Sequence, residues 1–408
     1  MTVTYKIPGA TLTERDHVVP LDHATPNGPS ISVFTRELVG DGGDGKPYLL
    51  FLQGGPGMEA TRPTAPPSGW MKRALKDYRV LLLDQRGVGR STPVGEIIPG
   101  ATADEQAEYM THFRADSIVR DAELIRHELN GAERWSVLGQ SFGGFTSMTY
   151  LSIAPNGLRE AYITGGLSPI GRAADEVYAI TWQRVIGKNR GYFERYPDDR
   201  QRAREIFQRL ANEDIRLPGG DQLTANRFRM NGMNLGRSDG WELLHNLLEL
   251  PFGSAAFMWD ATIGASNFQR NPIYATLHES SYADGVVTNW SAARTRPADI
   301  DAQHYFSGEH IYPEMWQDYG GLRAHAPAAQ ILAGHQWPRL YDANVLRQND
   351  VAVAASVYTN DLYVDRDFAM ETAATIRGIK VWETAELEHN GIRADGERVF
   401  GTLFDLLH

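Results

Sequence analysis

Short, unbroken apolar runs punctuate the first third of the chain. Tyr48-Leu49-Leu50-Phe51-Leu52 and Val80-Leu81-Leu82-Leu83 are each closed off by polar and glycine residues, Gln53-Gly54 in one case and Asp84-Gln85 in the other. A continuous run of this length suits a strand covered on both faces, whereas a strand with one wet face alternates. Ile31 to Phe34 is β-rich as well, and the Gly-Asp-rich stretch Gly40 to Gly45 predicts a hairpin-type loop leading to Tyr48. From Asp116 to Leu129 the period changes: Ile118, Val119, Ala122, Ile125 and Leu129 fall near helical spacing, and Asn130-Gly131 supplies a stop. Trp135 to Leu138 then predicts a strand, Gly139 to Gly144 a sharp turn, and Phe145 to Ile153 a helix ended by Pro155. Glu160 to Thr164 is the next expected strand.

Between about Ser168 and Pro338 this rhythm disappears, and tryptophan, tyrosine, arginine and asparagine crowd helical-looking segments. It returns with Val351 to Tyr358 as a strand, Met370 to Ile376 as a helix and Lys380 to Thr384 as a last strand. The expectation is an α/β core discontinuous in sequence, residues 1–167 and 339–408, with a mostly parallel central sheet flanked by helices. Residues 168–338 form a mainly helical cap inserted into it.

Composition narrows the chemistry. Lys plus Arg is 40 against 51 for Asp plus Glu, a formal charge of −11, and no dense basic run exists to neutralise phosphates, which argues against a nucleic-acid partner. With no cysteine, disulfides, thiolate metal sites and a cysteine nucleophile are excluded. The start, Met1 to Pro20, lacks the basic and apolar pattern of a signal peptide, and no stretch of about 18 apolar residues is present. A soluble cytoplasmic protein with no membrane partner is expected; nothing in the pattern sets an oligomeric state.

Gly139-Gln140-Ser141-Phe142-Gly143 fits Gly-X-Ser-X-Gly between a strand and a helix, the setting in which a serine is held on a tight turn with its hydroxyl above an α/β-hydrolase sheet. A serine hydroxyl is a poor nucleophile near neutral pH, so a histidine must take its proton and a carboxylate must orient that histidine. In this fold the acid follows a late strand and the histidine follows the last one. Of 12 histidines, His389 in Glu388-His389-Asn390-Gly391 lies just beyond the last predicted strand. Asp361 follows the strand Val351 to Tyr358 almost directly, with Asp365 and Asp367 as alternatives. The loop Gln53-Gly54-Gly55-Pro56-Gly57 follows a strand at the position that supplies one backbone donor to an oxyanion hole, so Gly55 and Phe142 are the expected donors. Asp84 and Arg86 in Asp84-Gln85-Arg86-Gly87-Val88-Gly89-Arg90-Ser91 read as braces for the neighbouring loops; the glycine spacing there is not that of a dinucleotide site.

Taken together, Gly54-Gly55-Pro56-Gly57, Asp84-Gln85-Arg86-Gly87 with Gly89 and Ser91, Gly139 to Gly144 and Glu388-His389-Asn390-Gly391 resemble the proline iminopeptidases (prolyl aminopeptidases). Leu277-His278-Glu279 and Ser307-Gly308-Glu309-His310-Ile311-Tyr312-Pro313 look like the larger subgroup of that family. Gln53 departs from the histidine common before the glycine pair, and the absence of cysteine departs from members sensitive to thiol reagents. The resemblance implies release of N-terminal proline from peptides through an acyl-enzyme, with no cofactor and no metal. A charged N-terminus entering a site needs carboxylate partners to offset its lost hydration. Glu279 and Glu309 lie in the resembling segments and are the expected amine-binding residues, with Glu314 and Glu242 weaker. Phe142, Tyr150, Tyr282, Tyr305 and Phe306 are candidate walls for a pyrrolidine ring. The alternative activity is that of an esterase or amidase acting on a neutral small acyl compound.

Overall fold

In the computed structural model, which describes residues 2–94, 101–263 and 267–408, the apolar runs become the middle of a nine-stranded sheet. Its strands are β1 (Thr2–Ile7), β2 (Ala10–Pro20), β3 (Ser30–Val39), β4 (Tyr48–Leu52), β5 (Arg79–Asp84), β6 (Trp135–Gln140), β7 (Leu158–Thr164), β8 (Ala352–Tyr358) and β9 (Lys380–Thr384). Their spatial order is β1-β2-β3-β5-β4-β6-β7-β8-β9. Neighbours from β5 across to β9 run parallel, while β1, β2, β3 and β5 pair antiparallel.

The run Leu49 to Leu52 has no polar alternation because both of its faces are covered. Leu50 and Leu52 pack in one apolar cluster with Ile118, Val119, Ala122, Phe145 and Met148, from the helices Ala115–Asn130 and Phe142–Ile153. Leu49 and Phe51 pack in another with Trp70, Met71, Phe400 and Leu403, from the helices Gly69–Ala74 and Gly396–Leu407. This is the expected α/β architecture, a mostly parallel sheet flanked by helices.

The hairpin expected at Gly40 to Gly45 is corrected. Strands β3 and β4 do not pair: β5 lies between them, with Leu38 opposite Val80 on one side and Tyr48 opposite Arg79 on the other. The loop is a connection over a strand that arrives later in the chain. The helix expected from Phe145 begins at Phe142, directly after Ser141.

Between β7 and β8 the described elements are helical, from Ala174–Arg195 to Ala343–Arg347. Tyr178, Trp182 and Tyr282 of this insertion share one apolar cluster with Val137 and Phe145 of the core. One long helix, Ala174–Arg195, also carries cations onto the core: Arg184 pairs with Asp365 at 2.7 Å and Lys188 with Glu388 at 2.5 Å. No described helix is long and apolar enough to cross a membrane.

Candidate active site

The carboxyl ends of β6, β8 and β9 bring three distant residues together. Ser141 stands between β6 and the Phe142–Ile153 helix with φ 55° and ψ −122°, a conformation that costs a non-glycine residue about 1–3 kcal/mol and persists only when its surroundings enforce it. They do: the Ser141 N–H donates to Thr164 O on β7 at 3.0 Å, and Ser141 O accepts from the Gly144 amide at 2.7 Å. Gly143 permits the close approach, since a Cβ there would lie 1.9 Å from Leu52 O on β4.

His389, in the loop after β9, has Nε2 at 2.8 Å from Ser141 Oγ and Nδ1 at 2.7 Å from Asp361 Oδ2. Asp361, just past β8, is fixed by its other oxygen, which accepts from the Tyr363 and Val364 amides at 2.8 and 3.1 Å. With Asp361 ionised, the imidazole proton sits on Nδ1, leaving Nε2 to accept from the serine hydroxyl. Burial alone lowers the His389 pKa, but the charge and hydrogen bond of Asp361, with Glu309 adding, outweigh it and raise the pKa above its ordinary value. The alternative acids are otherwise engaged: Asp365 caps the Arg366–Thr375 helix and pairs with Arg184, and Asp367 pairs with Arg366 at 2.9 Å.

The helix start at Phe142 and the loop Gln53 to Gly57 both adjoin this group. Phe142 is the first residue of its helix, so its N–H has no intrahelical acceptor. The loop Gln53 to Gly57 passes so near the serine that a Cβ on Gly54 would lie 3.0 Å from Ser141 Cβ; Gly55 is the next residue. Asp84 ties the segment after that loop to the turn after β5 by accepting from the amides of Ala60 and Arg90 at 3.1 and 2.9 Å, while Arg86 forks onto Asp121 and reaches the carbonyls of Pro20, Leu21 and His112. Gln53, where the resembling family has histidine, is buried and accepts at its carbonyl from Gln85 Nε2 at 3.0 Å.

The two nominated glutamates part company. Glu309 accepts a hydrogen bond from the buried Tyr274 hydroxyl, and its second oxygen is 4.0 Å from His278 Nε2. Burial raises the hydroxyl pKa values of Tyr178, Tyr274, Tyr282 and Tyr363, and the charge of Glu309 pushes each in the same direction. Its charge also acts on His389. Glu309 is therefore a half-buried carboxylate held by Tyr274 and close to His278, and its charge is one of those acting on His389. Glu279 is engaged differently, because its two oxygens accept from the Ser291 and Ala292 amides at 3.2 and 2.9 Å and so cap the Ser291–Arg294 turn. That correction narrows the expected amine-binding pair to Glu309. The weaker candidate Glu242 pairs with Arg195 on an exposed helix face.

Of the expected aromatic walls, Phe142 and Tyr282 lie along a chain of rings through Phe145, at 6.4 and 5.5 Å. Tyr150 belongs instead to the core, where its hydroxyl meets Trp135 Nε1 at 3.0 Å, and Tyr305 and Phe306 pack on Phe193 inside the insertion. Tyr363, whose ring centroid is 4.8 Å from that of His389, and Tyr274 were not singled out by the sequence pattern. Tyr363 follows Asp361 by two residues, a spacing that offers the available local signal; Tyr274 has none. A cavity of about 260 Å³ between Trp182, Arg229, Arg296, His310 and Glu314 holds no member of the Ser141 group. Among the described residues there is no cluster of three or more His, Asp or Glu side chains suited to a metal ion.

Residues 47–242 match the family model described as the alpha/beta hydrolase fold. The chain is 45% identical over 403 residues to a proline iminopeptidase of Aeromonas sobria, covering 95% of this chain and 94% of that one. It is 31% identical over 413 residues to a proline iminopeptidase of Aspergillus aculeatus, covering 95% of this chain and 92% of the relative.

Proposed function

The chain belongs to the proline iminopeptidase family of α/β-hydrolases, and we propose that it is a serine aminopeptidase releasing N-terminal proline from peptides through Ser141, His389 and Asp361. Ser141 Oγ attacks the carbonyl of the first residue while His389 Nε2 takes its proton. Asp361 holds the imidazolium that forms, and the amides of Gly55 and Phe142 receive the developing oxyanion. Collapse transfers the proton from His389 to the leaving amine and leaves a prolyl ester on Ser141. Water, deprotonated by the same histidine, then attacks the ester and releases proline. No metal or organic cofactor enters this cycle.

The observation that carries the exopeptidase reading is Glu309, a half-buried carboxylate whose charge reaches His389. In that position it binds the ammonium of the substrate's first residue and so limits Ser141 to the first carbonyl. The helical cap, residues 168–338, supplies this carboxylate and is the lid of the same proposal; a cytoplasmic setting belongs to it as well. The test is product identification. Incubation with a proline-led tripeptide is expected to yield free proline and a dipeptide, and a fluorophosphonate is expected to add its mass at Ser141 alone. Release of an internal fragment, or label elsewhere, contradicts the reading.

A further inference from the structure

The loop that carries His389 is held by two different parts of the molecule. Its ends belong to the core, where Leu387 and Ile392 pack in one apolar cluster with Leu138 of β6 and with Ala354 and Tyr358 of β8. Its centre, Glu388-His389-Asn390, is polar, and both neighbours of the histidine take partners from the insertion between β7 and β8. Lys188, on the long helix Ala174–Arg195, meets Glu388 Oε1 at 2.5 Å, with the two side chains only 12% and 21% exposed. The other oxygen of Glu388 is buried without a hydrogen-bond partner among the described residues, so neutralisation of this carboxylate falls to Lys188. Asn390 Oδ1 accepts from the Ser238 amide at 2.9 Å and from Ser238 Oγ at 3.1 Å, and the Glu388 amide donates to the same Oγ at 3.4 Å. One hydroxyl of the insertion therefore bridges the residues on either side of the catalytic histidine.

The aspartate is fastened from the same side. The buried Tyr363 donates its amide to Asp361 Oδ1 at 2.8 Å and sets its ring 4.8 Å from that of His389, while its hydroxyl donates to Met233 O. Met233 belongs to the turn Met230–Gly236, which leads to Ser238. Gly236 permits the close approach: a Cβ there would run into the Tyr363 ring and come within 2.9 Å of Leu362 Cβ. Lys188, Ser238 and Met233 thus hold Glu388, Asn390 and Tyr363, the groups that flank His389 and Asp361. General-base catalysis depends steeply on such placement, since about 1 Å of misalignment can cost 100-fold in rate.

We propose that Lys188, Ser238 and Tyr363 are positioning residues for the reaction: through Glu388, Asn390 and Asp361 they set His389 against Ser141, so that the base is aligned only while the insertion is seated on the core. The inference rests on the aminopeptidase reading above. The long helix supplies an internal control. Arg184, one turn before Lys188, pairs with Asp365 at 2.7 Å and fastens the same helix to the core at the cap of the Arg366–Thr375 helix. If attachment were all that mattered, loss of either ion pair would have the same consequence; if Lys188 acts on the histidine loop, the two differ.

The test measures kcat and KM on a prolyl arylamide, and the rate of labelling at Ser141 by a fluorophosphonate, in the wild type, Lys188→Met, Lys188→Arg, Ser238→Ala, Tyr363→Phe and Arg184→Met. All are compared on the alkaline plateau, where His389 is neutral. The label carries no ammonium, so it reads activation of Ser141 apart from the seating of substrate. Lys188→Met and Tyr363→Phe are each expected to lower kcat and the labelling rate in parallel by roughly 10- to 100-fold, the scale of a misplacement of up to about 1 Å, with KM little changed. Ser238→Ala is expected to lose less, Lys188→Arg to keep most of the wild-type rate, and Arg184→Met to stay near it. Wild-type kcat and labelling in both Lys188→Met and Tyr363→Phe, a loss confined to KM, or an equal loss in Arg184→Met overturns this inference alone. A wild type that is labelled at Ser141 but turns over no prolyl compound overturns the aminopeptidase reading and leaves the labelling rates to decide this one; a wild type not labelled at Ser141 overturns both.

Discussion

The two glutamates of the insertion, thirty residues apart, Glu279 on the one-turn segment Glu279–Tyr282 and Glu309 in an irregular stretch, have opposite fates. Glu279 is turned inward and spends both oxygens on the Ser291 and Ala292 amides; Glu309 accepts from one tyrosine hydroxyl and keeps an oxygen 4.0 Å from a histidine. A carboxylate saturated by backbone donors is structural, whereas a half-buried one with a free oxygen is available to a cation. The same contrast separates the halves of the molecule. In the core, strand ends and backbone hydrogen bonds hold Ser141, Asp361 and His389; in the insertion, Glu309 is held by side chains from separate turns, Tyr274 and His278.

The largest expected effect lies in the core. Ser141→Ala should lower kcat by about 10⁶-fold, as removal of an activated serine does elsewhere, with substrate binding retained; a loss of only tenfold would place the nucleophile elsewhere. Asp361→Asn should cost about 10⁴-fold in kcat by presenting His389 in the wrong tautomer, whereas Asp365→Asn should loosen the Arg366–Thr375 helix and leave kcat near the wild-type value. In the cap the effects are smaller and should split. Glu309→Gln is expected to reduce kcat/KM on a prolyl arylamide by roughly 10- to 100-fold, the scale for a hydrogen bond to a charged group. Glu279→Gln should instead lower stability by about 1–3 kcal/mol through an imperfectly satisfied buried cap, read as a lower unfolding temperature with little kinetic change. Reversed outcomes for the two variants would break the comparison.

The smallest effect is in the pH profile. His389 must be neutral to act as a base, and its pKa lies above the ordinary 6.5. The acid limb of kcat/KM should therefore rise with pH through an inflection above that value. Because Glu309 contributes to the upward shift, Glu309→Gln should move the inflection down; an upward movement would show that the two groups do not share a field.

Much of the core was legible because its signals are local. The runs at Tyr48 to Leu52 and Val80 to Leu83, and the serine between strand and helix, declare themselves within ten residues. What stayed hidden is non-local. Strand β2 buries Glu14 on one face and His17 on the other, where Arg36 and Thr35 satisfy them, so the apolar alternation that marks a half-buried strand is broken. Strand β1 alternates Val3, Tyr5 and Ile7 with Thr2, Thr4 and Lys6, but it lies almost wholly exposed at the sheet edge, so this short pattern marks no buried face. The false hairpin at Gly40 arose because β5, from later in the chain, separates two strands adjacent in sequence. Glu279 and Glu309 look alike until packing decides which backbone amides lie within reach.

If the site reads a free N-terminus before it breaks the first peptide bond, one ratio reports it most directly: kcat/KM for a prolyl arylamide over that for its N-acetylated counterpart. A large preference for the free amine is expected in the wild type, greatly reduced in Glu309→Gln. Equal turnover of the two compounds by the wild type, or faster turnover of the acetylated one, would contradict it.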